Sequence, residues 1–315
     1  MSGIPVFDDW LDVAVPWHGA VVPLGNFDGV HRGHQVLIGQ AADFAKAIEA
    51  PVVALTFEPH PRTFFVKDTA PFRLTSSVAK ARLLARYGVQ AVLAQRFDPD
   101  FAAVAAEDFV DGILVAGLRA RHVVCGYDFT FGARRSGNVD LLQRMGDDRG
   151  FAVTVVPPVM REGEIYSSTR IREALRSGMV SEAADLLGHP WEIEGMVEEG
   201  DKRGRTIGFP TANIALGEYL RPRFGVYAVR AAVKEKGEWV WRGAVANLGR
   251  RPTFGKLQEN FEVHVLDFDG DLYGRVMRVA LVDFIRPEMK FAGLEALKTQ
   301  IAADRDTARE VLRAG

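Results

Sequence analysis

The sequence predicts an α/β protein in which an N-terminal doubly wound parallel sheet is followed by a small antiparallel β-barrel and a C-terminal helix. Two observations predict this fold. Short apolar runs alternate with helical patterns in the first part of the chain, which is typical of βαβ units. After Trp191, strand-like runs follow one another with no helix between them, which favours a barrel. We therefore divide the 315 residues into domains 1–186 and 187–315, two domains being expected at this length.

The predicted elements of the first domain follow in order along the chain. An apolar run at 20–24 ends at a glycine, and apolar residues then recur at helical spacing, so a buried strand turns directly into a helix. Ligands of such sheets bind beyond the carboxyl ends of the strands. Further strands are predicted at 51–57, 89–94, 121–125 and 151–156, and further helices after Thr75 or Ser76, over 106–116 and over 169–177.

The second domain contains the barrel strands and one terminal helix. Turns rich in glycine and charged residues separate the strand-like runs, as expected for antiparallel neighbours. The strands are predicted at 226–233, 239–245, 261–268 and 276–284, and the helix at 294–312.

Composition narrows the class of function. The formal net charge is −2 and the basic residues form no continuous stripe, which argues against a nucleic-acid partner and favours a small anionic ligand. A single cysteine, Cys125, excludes an internal disulfide framework and a cysteine-rich zinc site. With no leader pattern and no apolar run of about 18 residues, we expect a cytoplasmic protein without a membrane partner. A transient homo-oligomer is left open.

The turn after the first buried strand carries a pair of histidines. Residues 25–34 read GNFDGVHRGH, and the helix that follows exposes unpaired N–H groups and the positive end of its dipole, which suits a phosphate. His31 and His34 are three residues apart and reach the same side of the turn. Gly33 removes a side chain where phosphates would have to come close. By itself a histidine pair is also compatible with a structural role.

Three further stretches of the first domain place polar groups at strand ends. Prolines on both sides of His60 stiffen the loop after the second strand. The aromatic stretch at 126–137 contains Asp128 and is also compatible with core packing. At 166–172, hydroxyl groups at the start of a helix are followed by two arginines. This pattern is compatible with a second anion-binding site and also with a capped amphipathic helix.

The second domain has its own polar motif at 200–213, GDKRGRTIGFPTAN. Its glycines permit close backbone approach, and Thr211 with Asn213 offers hard oxygen ligands for Mg2+. By strand alternation, Glu262 and His264 face one side of a later strand, and Val263 faces the other.

These motifs resemble known ones. The H-x-G-H spacing is similar to that of the nucleotidyltransferase superfamily. Together with S-S-T-x-I-R and G-F-P-T-A-N, it makes the chain resemble the bacterial bifunctional riboflavin kinase/FAD synthetases over about residues 15–310. The resemblance implies that the second domain uses ATP and Mg2+ to phosphorylate riboflavin to FMN. It implies that the first domain adenylylates FMN with ATP, giving FAD and pyrophosphate.

The resemblance also implies a site for each reaction. Glu262 is expected to be the catalytic base of the kinase, and His31, His34 and Arg172 are expected to relieve charge during adenylylation. Metal binding is expected at Thr211 and Asn213, and flavin contacts at His60, Arg251 and Phe291. The residues expected to bind nucleotide or phosphate are Gly25, Phe27, Asp28, Gly33, Asp128, Ser167, Ser168, Thr169, Arg170, Gly200, Lys202, Gly204, Gly208, Pro210, Thr211 and Asn213.

Three alternatives stay open at this point. One of the two modules could have lost its activity. A superfamily member that uses pantetheine phosphate or nicotinate mononucleotide would share His31 and His34 but lack the motif at 208–213 and Glu262. A flavin-sensing regulator would need a nucleic-acid surface, which the charge pattern does not favour. Small departures at 127–128, at 250–251 and at Phe261 leave the substrate preference open.

Overall fold

The structure is a computed structural model that describes residues 3–66, 70–199, 209–253 and 256–314, without the side chains of 251–253 and 256–258. Contacts divide the chain into two compact units. The first consists of Met1–Thr69 and Ser77–Ser167, and the second of Ala70–Ser76 and Ser168–Gly315. The domain boundary after residue 186 stays a prediction.

A six-stranded parallel sheet forms the centre of the first unit, with strand order β1-β4-β3-β2-β5-β6. Its five longer strands are the five predicted from sequence. The sequence missed β1, because two residues are too few to show a pattern. The strands are β1 (Val6–Phe7), β2 (Val21–Leu24), β3 (Val53–Glu58), β4 (Ala91–Arg96), β5 (His122–Gly126) and β6 (Ala152–Val156), and a small hairpin follows as β7 (Met160–Arg161) and β8 (Glu164–Ile165).

Helices cover both faces of this sheet. Alternate strand residues enter two apolar clusters, for example Val22 and Leu24 in one and Val21 in the other. The doubly wound sheet is therefore confirmed. Its helices are α1 (Arg32–Ala47), α2 (Pro61–Phe65), α3 (Ser77–Arg86), α4 (Pro99–Ala102), α5 (Ala106–Asp108) and α6 (Val139–Arg149).

One predicted helix has a different form. The expected α-helix over 106–116 is only the short α5, which continues as a π-helix over Phe109–Gly117. The hydrogen bond from the Leu118 N–H to the Ile113 carbonyl, 2.8 Å long, spans five residues, as in a π-helix. In a stretch this short and this apolar, the hydrophobic pattern does not distinguish the two helical periods.

The strand order creates one switch point in the sheet. From β2 the chain proceeds to β3 on one side, whereas β5 lies on the other side of β2. The loops leaving β2 and β5 therefore flank a crevice at the carboxyl end of the sheet, where ligands of such folds bind. These loops carry the histidine pair and Asp128.

A closed antiparallel barrel forms the second unit, with strand order β10-β13-β12-β11-β14-β9. The predicted barrel and C-terminal helix are confirmed. No helix in the described part of the chain is long and apolar enough to span a membrane. The elements are α7 (Ser168–Ser177), α8 (Val180–Leu187), β9 (Glu192–Glu198), β10 (Ala212–Ile214), β11 (Gly225–Glu235), β12 (Glu238–Thr253), β13 (Lys256–Val265), β14 (Val276–Pro287) and α9 (Leu294–Ala314).

Candidate active sites

His31 is the N-cap of α1, in the turn after β2. Its side chain accepts a hydrogen bond from the His34 backbone N–H, with 3.4 Å between Nδ1 and N. Because Nδ1 accepts, a neutral His31 carries its proton on Nε2. The cap therefore fixes the tautomer and turns an N–H donor away from the helix backbone.

The imidazole of His34 stacks on that of His31. The ring centroids are 3.6 Å apart with 20° between the planes, and the Phe27 ring meets His34 edge-on at 5.3 Å. Burial, followed by the charges of His31 and Lys80, holds the pKa of His34 well below 6.5. Its buried Nδ1 atom has no hydrogen-bond partner among the described residues. His34 is therefore neutral at neutral pH.

The loop before the histidines has an unusual backbone. Phe27, Gly29 and Val30 have φ values of 50°, 87° and 44°. A β-branched residue in this region is strained, and such strain concentrates at functional sites. The Gln35 side chain donates to the Val30 carbonyl at 2.8 Å and holds this conformation.

Glycines in this motif make room for its own aromatic rings. A Cβ on Gly33 would lie 3.1 Å from Cε1 of His31, and one on Gly25 would lie 3.2 Å from Cε1 of Phe27. From the sequence, we expected the missing side chain of Gly33 to make room for a phosphate. In the structure, the His31 ring lies where that side chain would be.

Two acidic residues lie at the switch point. Asp28 is buried in the loop after β2. Asp128 follows β5, and its Oδ1 atom lies 3.2 Å from where a Cβ on Gly126 would be. Burial, together with the nearby Asp128 charge, raises the pKa of the Cys125 thiol to about 12. The Asp128 carboxylate thus folds back over the end of β5.

His60 repeats the arrangement of His31 one strand further along the sheet. It is the N-cap of α2, and its Nδ1 atom accepts a hydrogen bond of 3.1 Å from the Arg62 N–H. Its Nε2 atom therefore also carries the proton of the neutral ring. Its predicted flavin contact stays a prediction.

The second predicted anion cradle begins at Ser167, and Ser168 and Thr169 are the first residues of α7. In the same helix, Arg170 forms an ion pair with Glu182 at 3.6 Å. Arg172 is buried, and its Nε atom donates to the Phe72 carbonyl at 2.8 Å. Helix α7 belongs to the second compact unit, so the predicted sharing of one anion site with His31 and His34 stays a prediction.

Strand register assembles the polar site of the barrel. Glu262 on β13 pairs with Asn213 on β10 and with Asn247 on β12. Residues directly opposite in neighbouring strands share a face, so these three side chains form a row, which we call the polar row. Val263 is buried, whereas Glu262 and His264 are half-buried, which confirms the predicted alternation.

Hydrogen bonds orient Glu262 and hold the turn beside the polar row. The Asn260 Nδ2 atom donates to Glu262 Oε1 at 2.7 Å. His264 Nδ1 lies 2.7 Å from the Pro210 carbonyl and so holds the turn that leads to Thr211. Thr211 immediately precedes β10, and Asn213 lies within it.

The donor set near Thr211 fits a magnesium ion. A hydroxyl and an amide oxygen are hard ligands, and Mg2+ in phosphate-transfer sites takes most of its other ligands from water and substrate phosphates. No group of three or more His, Cys, Asp or Glu side chains suited to a metal occurs in the described part of the chain. Beside Thr211, a cavity is lined in part by Val197, Val263, Phe268 and Tyr273.

Some predicted residues cannot be compared with the structure. Gly200, Lys202, Gly204 and Gly208 lie outside the described residues, as does the side chain of Arg251. Phe291 is described, and the Arg286 guanidinium lies 5.8 Å from the centre of its ring.

The sequence analysis missed three polar side chains that the structure places at the candidate sites, namely Lys80, Asn247 and Asn260.

Comparison with sequence families assigns both halves of the chain. The model of the FAD synthetase family matches residues 14–170, and that of the riboflavin kinase family matches residues 187–312. The fold and these matches define a two-domain transferase that acts on phosphate groups.

Relatives of similar length narrow this class. The bifunctional riboflavin kinase/FMN adenylyltransferase of Escherichia coli K12 is 46% identical over 295 residues, covering 94% of this chain and 93% of that protein. The protein of the same name from Listeria monocytogenes is 39% identical and covers 96% and 94%. A crystal structure described as a macrolide-efflux protein from Streptococcus pneumoniae is 34% identical, has a TM-score of 0.84, and covers 96% of this chain and 98% of that one. This chain belongs to the family of bifunctional riboflavin kinase/FMN adenylyltransferases, with the FAD synthetase domain N-terminal and the riboflavin kinase domain C-terminal.

Proposed function

We propose that FMN is adenylylated at the turn after β2 and that riboflavin is phosphorylated at the polar row of the barrel. The observation that carries this proposal is that each unit has its own polar site: a stacked histidine pair at a helix N-terminus, and a carboxylate in register with two amides. Domains 1–186 and 187–315 are the proposed extents of the two activities.

Adenylylation needs charge relief rather than a base. The FMN phosphate is already an anion when it attacks the α-phosphorus of ATP, and pyrophosphate leaves. Like-charge repulsion and the charge on the leaving group are the obstacles. The Nε2–H of His31, the neutral ring of His34 and the N-terminal N–H groups of α1 are donors suited to these oxygens. Ser167, Ser168, Thr169, Arg170 and Arg172 are proposed to bind nucleotide or phosphate in the same reaction.

The same site needs a cradle for the nucleotide and a surface for the flavin. We assign Gly25, Phe27, Asp28, Gly33 and Asp128 to the nucleotide, because they lie in the two loops that flank the switch point. His60, in the loop after the neighbouring strand β3, is assigned to FMN.

Phosphorylation of riboflavin does need a base. A hydroxyl group is a weak nucleophile at neutral pH, so a carboxylate takes its proton while the oxygen attacks the γ-phosphorus and ADP leaves. We assign this role to Glu262, which Asn260 orients. Thr211 and Asn213 would hold Mg2+, which neutralises charge on the phosphate oxygens when bound.

The remaining kinase contacts are proposed as follows. Gly200, Lys202, Gly204, Gly208 and Pro210 are proposed to bind the phosphates of ATP, and Pro210 also lines the cavity beside Thr211. Arg251 and Phe291 would contact riboflavin.

The first experiment is a time course of the purified protein with riboflavin, ATP and Mg2+, with riboflavin, FMN and FAD separated by chromatography. FMN should appear first and then give way to FAD, and chelation of Mg2+ should stop FMN formation. Glu262→Gln should lower FMN formation by about 10³-fold, since a general base contributes 10²–10⁴. It should still convert supplied FMN to FAD.

The reciprocal variant is His31→Asn, which keeps an N-cap acceptor for α1 and removes the imidazole. It should stall the reaction at FMN. The exposed barrel residue Glu238 provides a control, because Glu238→Gln changes the same chemical group away from the polar row. Loss of both activities in either folded variant would contradict the assignment of separate sites.

A cytoplasmic location and a transient homo-oligomer stay predictions from the sequence. Light scattering with and without substrates would detect the oligomer.

A further inference from the structure

Lys80 is a buried cation that has no role in either of the two proposed sites. It lies in α3, and only 2% of its surface is exposed. Removing an ammonium group from water is costly unless it is paired and hydrogen-bonded. A lysine at this depth therefore calls for an explanation beyond helix formation.

Its contacts lead to the loop that carries the histidines. The Nζ atom donates to Thr56 Oγ1 at 3.3 Å, and Thr56 Oγ1 donates to the Asn26 carbonyl at 3.1 Å. The nearest carboxylate oxygen of Glu58 is 3.8 Å from Nζ. This chain of contacts runs from α3 through β3 to the residue that directly follows Gly25.

The charge of Lys80 contributes to the low pKa of His34. Burial is the largest cause that lowers the pKa of His34, followed by the charges of His31 and of Lys80. These groups come from three elements: His31 from the start of α1, Lys80 from α3, and Glu58, which faces Lys80, from β3. Lys80 is buried, and a buried charge is screened weakly by the surrounding protein, so it acts on neighbouring groups more strongly than an exposed lysine would.

We propose that Lys80 is a positioning residue for adenylyl transfer: its ammonium group, tethered through Thr56 to the backbone of Asn26, places a fixed positive charge behind the stacked histidines. The inference rests on the proposed site of FMN adenylylation. Positive charge for the triphosphate then comes from a residue that does not itself need to touch it. His34 can then stay uncharged and stacked on His31 at 3.6 Å, whereas two protonated rings at this distance would repel each other.

The test is Lys80→Met in the full-length protein, with both reactions measured in the same sample. FAD formation from FMN should fall by about 10²-fold, as for loss of one preorganised electrostatic group. FMN formation should stay within about twofold, which reports an intact barrel. Lys46→Met is the matched control, because Lys46 is an exposed lysine in α1, and both of its activities should be unchanged.

A second readout separates this role from a merely structural one. Histidine NMR, with His34 assigned from His34→Asn, should show the pKa of His34 moving up toward its ordinary value in Lys80→Met. FAD formation should then decline as pH falls through this raised pKa, at a higher pH than in the wild type. Thr56→Val, which keeps the charge but removes the tether, should lower FAD formation without this change in pH dependence.

Two results for Lys80→Met would overturn the inference, and Lys80→Arg provides a third test if that variant does not fold. The first is FAD formation within twofold of wild type in Lys80→Met, and the second is a loss of activity with the pKa of His34 unchanged. If Lys80→Met does not fold, Lys80→Arg decides: it must keep the pKa of His34 low and FAD formation within about tenfold of wild type. If His31→Asn and His34→Asn both retain FAD formation, the proposed site itself fails, which is a distinguishable result.

Discussion

The two candidate sites are built in opposite ways. The histidine pair lies within one turn of chain, three residues apart, and its rings stack on each other. The polar row takes Asn213, Asn247 and Glu262 from three strands, which are distant in sequence and meet only through register. One site is thus local and depends on loop conformation, whereas the other is distributed and depends on strand pairing.

The local site also stores backbone strain that the distributed site lacks. Phe27 and Val30 adopt positive φ in the loop before the histidines, whereas Asn213 and Glu262 lie within paired strands. We therefore expect the first site to respond strongly to a single added carbon atom. The second should respond mainly to loss of individual polar groups.

Among the variants that test this comparison, the largest effect is expected for Gly33→Ala. Its Cβ would lie 3.1 Å from Cε1 of His31, so that ring would have to shift by a few tenths of an ångström, which disturbs its stack and its cap. We expect FAD formation to fall by up to about 10²-fold, the loss that a catalytic group displaced by about 1 Å causes, with FMN formation unchanged.

The matched control is Gly39→Ala in the same helix, where no atom lies within 4 Å of the added Cβ. It should leave both activities unchanged and stabilise the first unit by up to about 1 kcal/mol. Equal activity of the two alanine variants would show that the local site is less sensitive to the backbone than we argue.

A smaller effect is expected for Asn260→Ala in the polar row. A hydrogen bond to a charged group is worth about 1.5–3 kcal/mol, so imperfect orientation of Glu262 should slow FMN formation by at least about tenfold. Conversion of supplied FMN to FAD should not change. Asn260→Asp should be slower still, because it places a second carboxylate beside Glu262. Wild-type FMN formation in Asn260→Ala would remove Asn260 from the site.

The smallest effect concerns the pH dependence of stability in the first unit. Folding lowers the pKa of His34 from 6.5, so between these two values the unfolded chain binds more protons than the folded one. The free energy of unfolding should then fall as pH drops below about 6.5, by at most about 1.4 kcal/mol per pH unit from this group. Denaturant titrations of wild type and His34→Asn should differ in this slope, and equal slopes would contradict a depressed pKa.

The sequence by itself determined the parts of this protein that depend on local spacing. The alternation of strands and helices, the position of His31 and His34 at a strand-to-helix turn, and the shared face of Glu262 and His264 all follow from residue patterns a few positions long. Such patterns express the fixed periods of strand and helix. The tertiary structure agrees with each of these.

Only the tertiary structure decided which distant groups meet. Lys80 fits a helical pattern, and nothing nearby in sequence shows that it is buried against Thr56. The pairing of Asn213 and Asn247 with Glu262 depends on register, and a shift of one residue would turn every side chain to the other face. Register and burial are set by the packing of whole elements, whose energies sum over many contacts, so no short stretch of sequence contains them.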